Sequence, residues 1–391
     1  MSRKIELQNL SIGPALGNVV RPQLEAVKIG PFSIRFIDDY EARHHQLSAK
    51  MLLRSSMKFS EGKLEVSEEE VPQNHATGWL TTAVAMHDGT SGIESVFAET
   101  PIKDDGAWDL CELLTFVTGR RVACPEYSER HGVAYRHIGR SAKVPLQSLH
   151  VAAAAWPGRD NVLSCGMEMA ILSHNQAVSD MIQTQASHYT TALDIVCAKY
   201  PAQSHAGKDE TNVSDELKAA IKEKVAIAVN SCDVLSGPQK EAFINILCAR
   251  VQQGSSKGFV GKLQDVLEDL GAIDENPTKD VVARVKFIDT MRNTIIHNGR
   301  LPRPGKDETR TQLGQRVAYI VYTILPAINL QALLMVLKVS PEDQARYSLH
   351  EPVLREFFTE GKAGQMVESL SDLRILTKLL RPADELETDD E

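Results

Sequence analysis

The stretch Asp280 to Gly299, DVVARVKFIDTMRNTIIHNG, decides how this 391-residue chain is read. On a helical wheel at about 100° per residue, Val281, Val285, Ile288, Ile295 and Ile296 share one face, and Arg292 falls near its centre. Asp289, Asn293 and His297 follow at every fourth position as a polar stripe along the flank of that face. An arginine aimed into an apolar face has to find an anionic partner or a path to water, because an unpaired buried guanidinium is costly. Gly299 suits a helix stop, so the spacing predicts a helix over Lys279 to Asn298.

Arg292 and His297 are five residues apart, which puts them about 140° apart around a regular helix and roughly 7.5 Å along it. One helix struggles to bring both groups onto one phosphate. Two copies related by a two-fold axis overcome this, each contributing an arginine and a histidine to a shared cleft, so a homodimer is expected. The residue types suit cleavage of a ribose-phosphate linkage. An imidazole titrating near neutral pH can take the 2′-hydroxyl proton, and a guanidinium can hold the phosphate and its developing charge. The helix C-terminus favours the imidazolium form of His297 by about 0.3–1 kcal/mol, which keeps it near its useful range. Asn293, one turn earlier, is placed to orient that ring or to donate to phosphate.

Working outward, the segment Lys279 to Arg316 carries nine basic residues against four acidic ones, although the whole chain has a formal charge of −9. That contrast suits a focused phosphate site and argues against general affinity for nucleic acid. Within the segment, Lys286, Arg300 and Arg303 are the candidate substrate-binding residues. Hydrophobic residues at 42% and charged residues at 24% place the chain among ordinary globular proteins. The six cysteines form no C-x-x-C pair, so neither a disulfide framework nor a cysteine zinc site is expected. No metal or cofactor is expected either. Met1 to Gly13 reads as neither a signal nor a transit peptide, and no stretch has the length of a membrane span; a cytoplasmic protein with no membrane partner is the expectation.

Two regions differ in hydrophobic period. Up to residue 157, strands are expected at Lys4 to Ile12, Val27 to Ile37 with a break at Gly30-Pro31, Ala49 to Met57, Trp79 to Met86, Ile93 to Ala98 and Val133 to Ile138. One helix, Ala107 to Thr118, interrupts them and stops at Gly119. After Pro157-Gly158 the period moves to 3.6. Helices are expected over Asn161 to Tyr200 with interruptions, Val213 to Leu235, Pro238 to Gln252, Phe259 to Leu270, Lys279 to Asn298, Thr309 to Val339 and Gly364 to Leu380. Gln203 to Asn212 reads as a loop, and the acidic tail from Asp384 as frayed. The expected class is α+β, with a β-rich domain at 1–157, an all-α helical bundle at 158–380 and a tail at 381–391.

The string Arg292-Asn293-Thr294-Ile295-Ile296-His297 resembles the R-x4-6-H signature of the HEPN superfamily, including the polar residue that follows the arginine. The resemblance implies a helical bundle, dimerisation through the motif-bearing helices and metal-independent endoribonuclease activity, with Arg292, Asn293 and His297 as site residues. The layout is also similar to ApeA-type defence proteins, and Leu113-Leu114-Thr115-Phe116-Val117-Thr118-Gly119-Arg120-Arg121-Val122 is similar to a string of their N-terminal domain. These likenesses imply an antiviral or toxin effector acting on RNA, with transfer RNA a target by analogy and a phage or protein trigger read by the N-terminal domain. The alternative is an inactive HEPN-like scaffold that binds RNA or protein. An AMP-transferring toxin partner finds no phosphate loop or carboxylate cluster in the sequence.

Other residues read more plainly. His44 and His45, if on a strand, point to opposite faces and make a poor metal pair. Arg120 and Arg121 follow a glycine stop; a solvated loop is the simpler reading, a phosphate contact the sharper one. Trp79, Trp108 and Trp156 are expected in the core or between domains rather than stacked on bases.

Overall fold

Alternating apolar and polar residues build the strands of the first third of the chain: β1 (Arg3–Gln8), β2 (Val27–Ile29), β3 (Phe32–Phe36), β4 (Ser56–Ser60), β5 (Lys63–Ser67), β6 (Thr81–His87), β7 (Ile93–Glu94) and β8 (Lys103–Asp104). They come from a computed structural model that describes residues 3–10, 26–44, 56–60, 63–67, 79–89, 93–97, 103–104, 106–128, 147–179, 182–201, 215–232, 234–253, 258–298, 317, 319–346 and 351–360. Four strands form an antiparallel sheet in the order β1-β6-β3-β2, and β4-β5 and β7-β8 are separate two-stranded pairs. The register sets Ile5 and Ile34 against Ala85, and Leu7 and Phe36 against Ala83, so these residues build one buried apolar face of the sheet, with His87 buried at its end opposite Phe32. The expected break at Gly30-Pro31 is the β2–β3 turn. Gly30 has φ +55, and a Cβ there would lie 2.1 Å from Trp156 Nε1, so both backbone and space require glycine.

Helix α1 (Ala107–Thr118) matches its expected limits and is buried on nearly every side, as a helix at the centre of a fold must be. Gly119, at φ 64, closes it by donating its N–H to the Thr115 carbonyl at 2.9 Å. Two carboxylates ride inside. Asp109 accepts from Ser95 Oγ at 2.6 Å and from the N–H groups of Val96 and Phe97 at 3.0 Å each, and pairs with Arg159. Glu112 takes both amino groups of Arg121, at 3.2 and 3.0 Å, and the Asn175 amide at 2.8 Å. Buried charge is tolerable only with such complete pairing.

The remainder is mostly helical: α2 (Pro125–Ser128), α3 (Gln147–Ala155), α4 (Arg159–Cys165), α5 (Glu168–Ser179), α6 (Ile182–Lys199), α7 (Asp215–Asn230), α8 (Gly237–Gln253), α9 (Phe259–Asp269), α10 (Lys279–Asn298), α11 (Leu325–Val336), α12 (Pro341–Arg346) and α13 (Glu351–Arg355). A small antiparallel sheet with a helical remainder is an α+β arrangement. The helical period starts earlier than expected, at Gln147 rather than after Gly158. The reason is composition: the run of four alanines after Val151 is strongly helix-forming but carries little of the large-residue pattern that reveals a stripe. Helix α3 packs on β2 and α1, and α1 also packs on α5.

Helix α6 is the hub, in contact with α5, α9, α10 and α11. Asn329 on α11 donates to the Tyr189 carbonyl of α6 at 2.9 Å. A π-helical turn, Ile320–Ile324, leads into α11, where Pro326 lacks the N–H a regular turn would use. Helices α7 and α8 pack chiefly on each other and leave Ile227, Phe243 and Ile246 about half exposed or more. At the start of α8 the Gln239 side-chain carbonyl accepts from both the N–H and the hydroxyl of Ser236, at 3.0 and 2.9 Å. One continuous apolar core runs from Ile5 in β1 to Phe358 in the π-helical turn Glu356–Glu360, and so joins sheet and bundle. Among the described residues, no helix is long and apolar enough to cross a membrane.

The strands expected around residues 49–55 and 133–138, the loop at 203–212, the start of the helix expected from residue 309, the helix at 364–380 and the tail lie outside the described residues.

Candidate active site

Helix α10 starts behind Thr278, whose carbonyl accepts from Val282 N–H at 3.0 Å, and spans the expected residues. Its buried face consists of Val281, Val285, Phe287, Ile288, Met291 and Ile295. Ile296, expected on that face, is 46% exposed. Phe287 and Met291 turn the face away from Arg292 and Ile296, which leaves both at its edge rather than at its centre. Arg284 secures the helix from another side by donating to the carbonyls of Phe357, at 3.2 Å, and Phe358.

At the edge of the face Arg292 finds the anionic partner its setting demands. Its Nε–H donates to Asp194 Oδ1 on α6, and its Nη1 donates to Asn293 Oδ1 at 2.7 Å. Asp289 Oδ1 stands 3.7 Å from Nη1 and accepts from Asn293 Nδ2 at 3.4 Å. The guanidinium carbon lies 4.5 Å from the centre of the Phe259 ring on α9, an aromatic face that suits a cation. Three helices thus fix one guanidinium. Its side chain is 23% exposed, and Nη2 makes no hydrogen bond among the described residues, so one edge of the fork stays open to a further anion.

The electrostatics follow from one cation among two carboxylates. Burial raises the Asp289 carboxyl above its ordinary range, and nearby Asp194 adds to the rise; Arg292 and the Asn293 amide oppose both. Cys197, one turn beyond Asp194, is pushed well up by burial and by that same carboxylate, with Arg292 and Lys262 in opposition. It is a buried thiol, not a nucleophile.

The structure brings Arg292 and Asn293 into contact. It places His297 on the last turn of α10, five positions beyond Arg292, with its ring outside the described residues. Lys286 is exposed on the same helix, and Arg300 and Arg303 lie outside the described residues. Lys286 and the His297 position are eleven residues apart, about 20° around the helix, so Lys286 lies on the line of the histidine rather than that of the arginine. Sequence reasoning missed Asp194 and Phe259. A signal for the first was present: Asp194 is the one carboxylate in IQTQASHYTTALDIVCAK, set among Leu193, Ile195 and Val196.

Arg120 and Arg121 are not in a solvated loop: Arg120 is 5% exposed and Arg121 is paired with Glu112. His44 ends a helical turn rather than lying on a strand. Trp156 is in the core against Phe32, with Arg159 stacked 3.6 Å from its ring centre.

Compared with known protein families, curated proteins and solved structures, the chain matches none.

Proposed function

We propose that this chain is a metal-independent endoribonuclease of the HEPN kind. The observation that supports it is the seating of Arg292. A guanidinium oriented by Asp194, Asn293 and Phe259, with one edge open, lies five positions before a histidine on one helix. In this reading two protomers combine their α10 helices, and the imidazole of His297 takes the proton of a ribose 2′-hydroxyl. The 2′-oxygen then attacks phosphorus, the bond to the 5′-oxygen breaks, and that oxygen leaves with a proton. The products are a 2′,3′-cyclic phosphate and a 5′-hydroxyl end. Arg292 stabilises the charge that builds on the non-bridging oxygens. Lys286, Arg300 and Arg303 hold the flanking phosphates, and RNA, transfer RNA by analogy, is the substrate. The sheet-bearing half senses a phage or protein trigger in the cytoplasm and releases an antiviral or toxic activity.

One observation favours a second reading. Asp194 and Asp289 already neutralise Arg292, as they would in an inactive HEPN-like scaffold. The experiment separates the two. Purified protein is incubated with total RNA in EDTA, beside Arg292→Ala and His297→Ala variants. Cleavage that both variants abolish, leaving cyclic phosphate ends, supports the nuclease. Cleavage that survives in His297→Ala sinks the site assignment, and no cleavage under any trigger favours the scaffold.

A further inference from the structure

Two carboxylates attend Arg292, and they hold it in different ways. Asp194 reaches across from α6 and takes the Nε–H directly, so it sets the plane of the fork. Asp289 lies one turn before the arginine on α10 itself, and its Oδ1 stops 3.7 Å from Nη1, an ion pair beyond hydrogen-bond length. Asn293 links the two: its Oδ1 accepts from Nη1 at 2.7 Å, and its Nδ2 donates to Asp289 Oδ1 at 3.4 Å. Both ends of that amide are engaged within the protein, so Asn293 bridges cation and carboxylate. The Asp289 side chain is 28% exposed and that of Arg292 23%, so solvent, and a solute arriving from it, reaches both.

An arginine fork grips a phosphate end-on through both outer nitrogens, one oxygen to each. At Arg292 the Nη1 half of that grip is already drawn on by Asn293 and, through space, by Asp289. A carboxylate and a phosphate oxygen beside one Nη1 repel each other, and at about 5 Å in a partly wet setting that repulsion changes affinity several-fold. We propose, on the reading of α10 as an RNA site, that Asp289 is a built-in competitor of the substrate phosphate, a carboxylate gate that Asn293 holds beside Arg292 and that sets how tightly this helix takes RNA. Asp194 is no such competitor, because its bond to Nε leaves the Nη1–Nη2 edge to the substrate. The gate keeps chance polyanions off a single arginine; an RNA held by further contacts along the helix displaces it.

The test uses the full chain and reads binding, apart from any cleavage. Fluorescence anisotropy follows a labelled single-stranded 2′-O-methyl RNA, which cannot form a cyclic phosphate, in EDTA at fixed ionic strength. The proteins are wild type, Asp289→Asn, Asp280→Asn, Arg292→Met and the double variant of Asp289→Asn with Arg292→Met. Asp289→Asn keeps the side chain's size and an acceptor for Asn293, and is expected to tighten binding about fivefold. Asp280→Asn removes the same charge from an exposed position in the first turn of α10, and is expected to change affinity by less than about twofold. The gain is expected to vanish when Arg292 is replaced, since Asp289 acts through that guanidinium. An Asp289→Asn affinity no better than wild type, an equal gain in Asp280→Asn, a gain that survives Arg292→Met, or no binding by either wild type or Asp289→Asn overturns the gate. Should Asp289→Asn not fold, Asp289→Ala takes its place with the same expectation. A chain that binds as expected but leaves total RNA uncut keeps the gate and loses the nuclease; one that cuts RNA but shows no effect of Asp289 keeps the nuclease and loses the gate.

Discussion

The Nε–H of Arg292 donates to the carboxylate of Asp194, a residue 98 positions earlier on a different helix. This long-range pair orients the Arg292 guanidinium of the proposed site and fastens α10 to α6. Both side chains are about a quarter exposed, so solvent screens the pair and its worth is about 1 kcal/mol rather than that of a fully buried pair. A double-mutant cycle of Asp194→Asn and Arg292→Met in urea denaturation should return a coupling of that order; strictly additive losses would show that the two groups do not interact. In the RNA cleavage assay Asp194→Asn should lower the rate without abolishing it, because the fork loses its orientation but keeps its charge.

Asp289 gives the site a pH dependence. Its carboxyl titrates higher in the folded chain than in the unfolded one, chiefly through burial. The proton is therefore held more tightly in the folded state. The resulting stabilisation is complete below the ordinary value of 3.8 and is lost as pH rises through the raised folded value. Asp289→Asn removes this component and can still accept from Asn293. Denaturation of the two proteins from pH 3.5 to 7, roughly spanning that window, should show the variant gaining on wild type as pH rises; a constant difference would contradict the shift.

Asp109 is a stability test in the core. It is 0% exposed and serves a hydroxyl, two backbone N–H groups and Arg159. Asp109→Ala strands all of them, and a loss of about 3–5 kcal/mol is expected. Equilibrium denaturation measures it, and a loss under about 1 kcal/mol would mean that these contacts carry little.

Gly158 tests the close approach of chain to chain. An added Cβ would sit 1.9 Å from the Leu337 carbonyl oxygen, so backbone must move. Gly158→Ala should cost about 3 kcal/mol or more, seen as a marked fall in Tm or soluble yield. A wild-type Tm would argue that Leu337 is not there.

Much of this arrangement was legible in advance where one signal dominated. Ala107–Thr118 and Lys279–Asn298 appear at their expected limits because each has periodic apolar residues and a glycine or asparagine at its end. The Gly30-Pro31 turn was legible for a similar reason. Helix α3 was not, since alanine reads poorly as apolar pattern. The face of α10 was misjudged by one edge, because Phe287 and Met291 outweigh Ile296 once α6 and α9 are in place. Arg292's need for an anion followed from sequence, but Asp194 as the acceptor did not: pairing across 98 positions depends on how helices cross, which local pattern does not encode. The burial of Arg120 escaped notice for the same reason.

The core that runs without interruption from Ile5 to Phe358 has a thermodynamic corollary. Sheet and bundle cannot shed their heat separately: a calorimeter should record a single endotherm, and whatever loosens the sheet also hastens the melting of the arginine helix far along the chain.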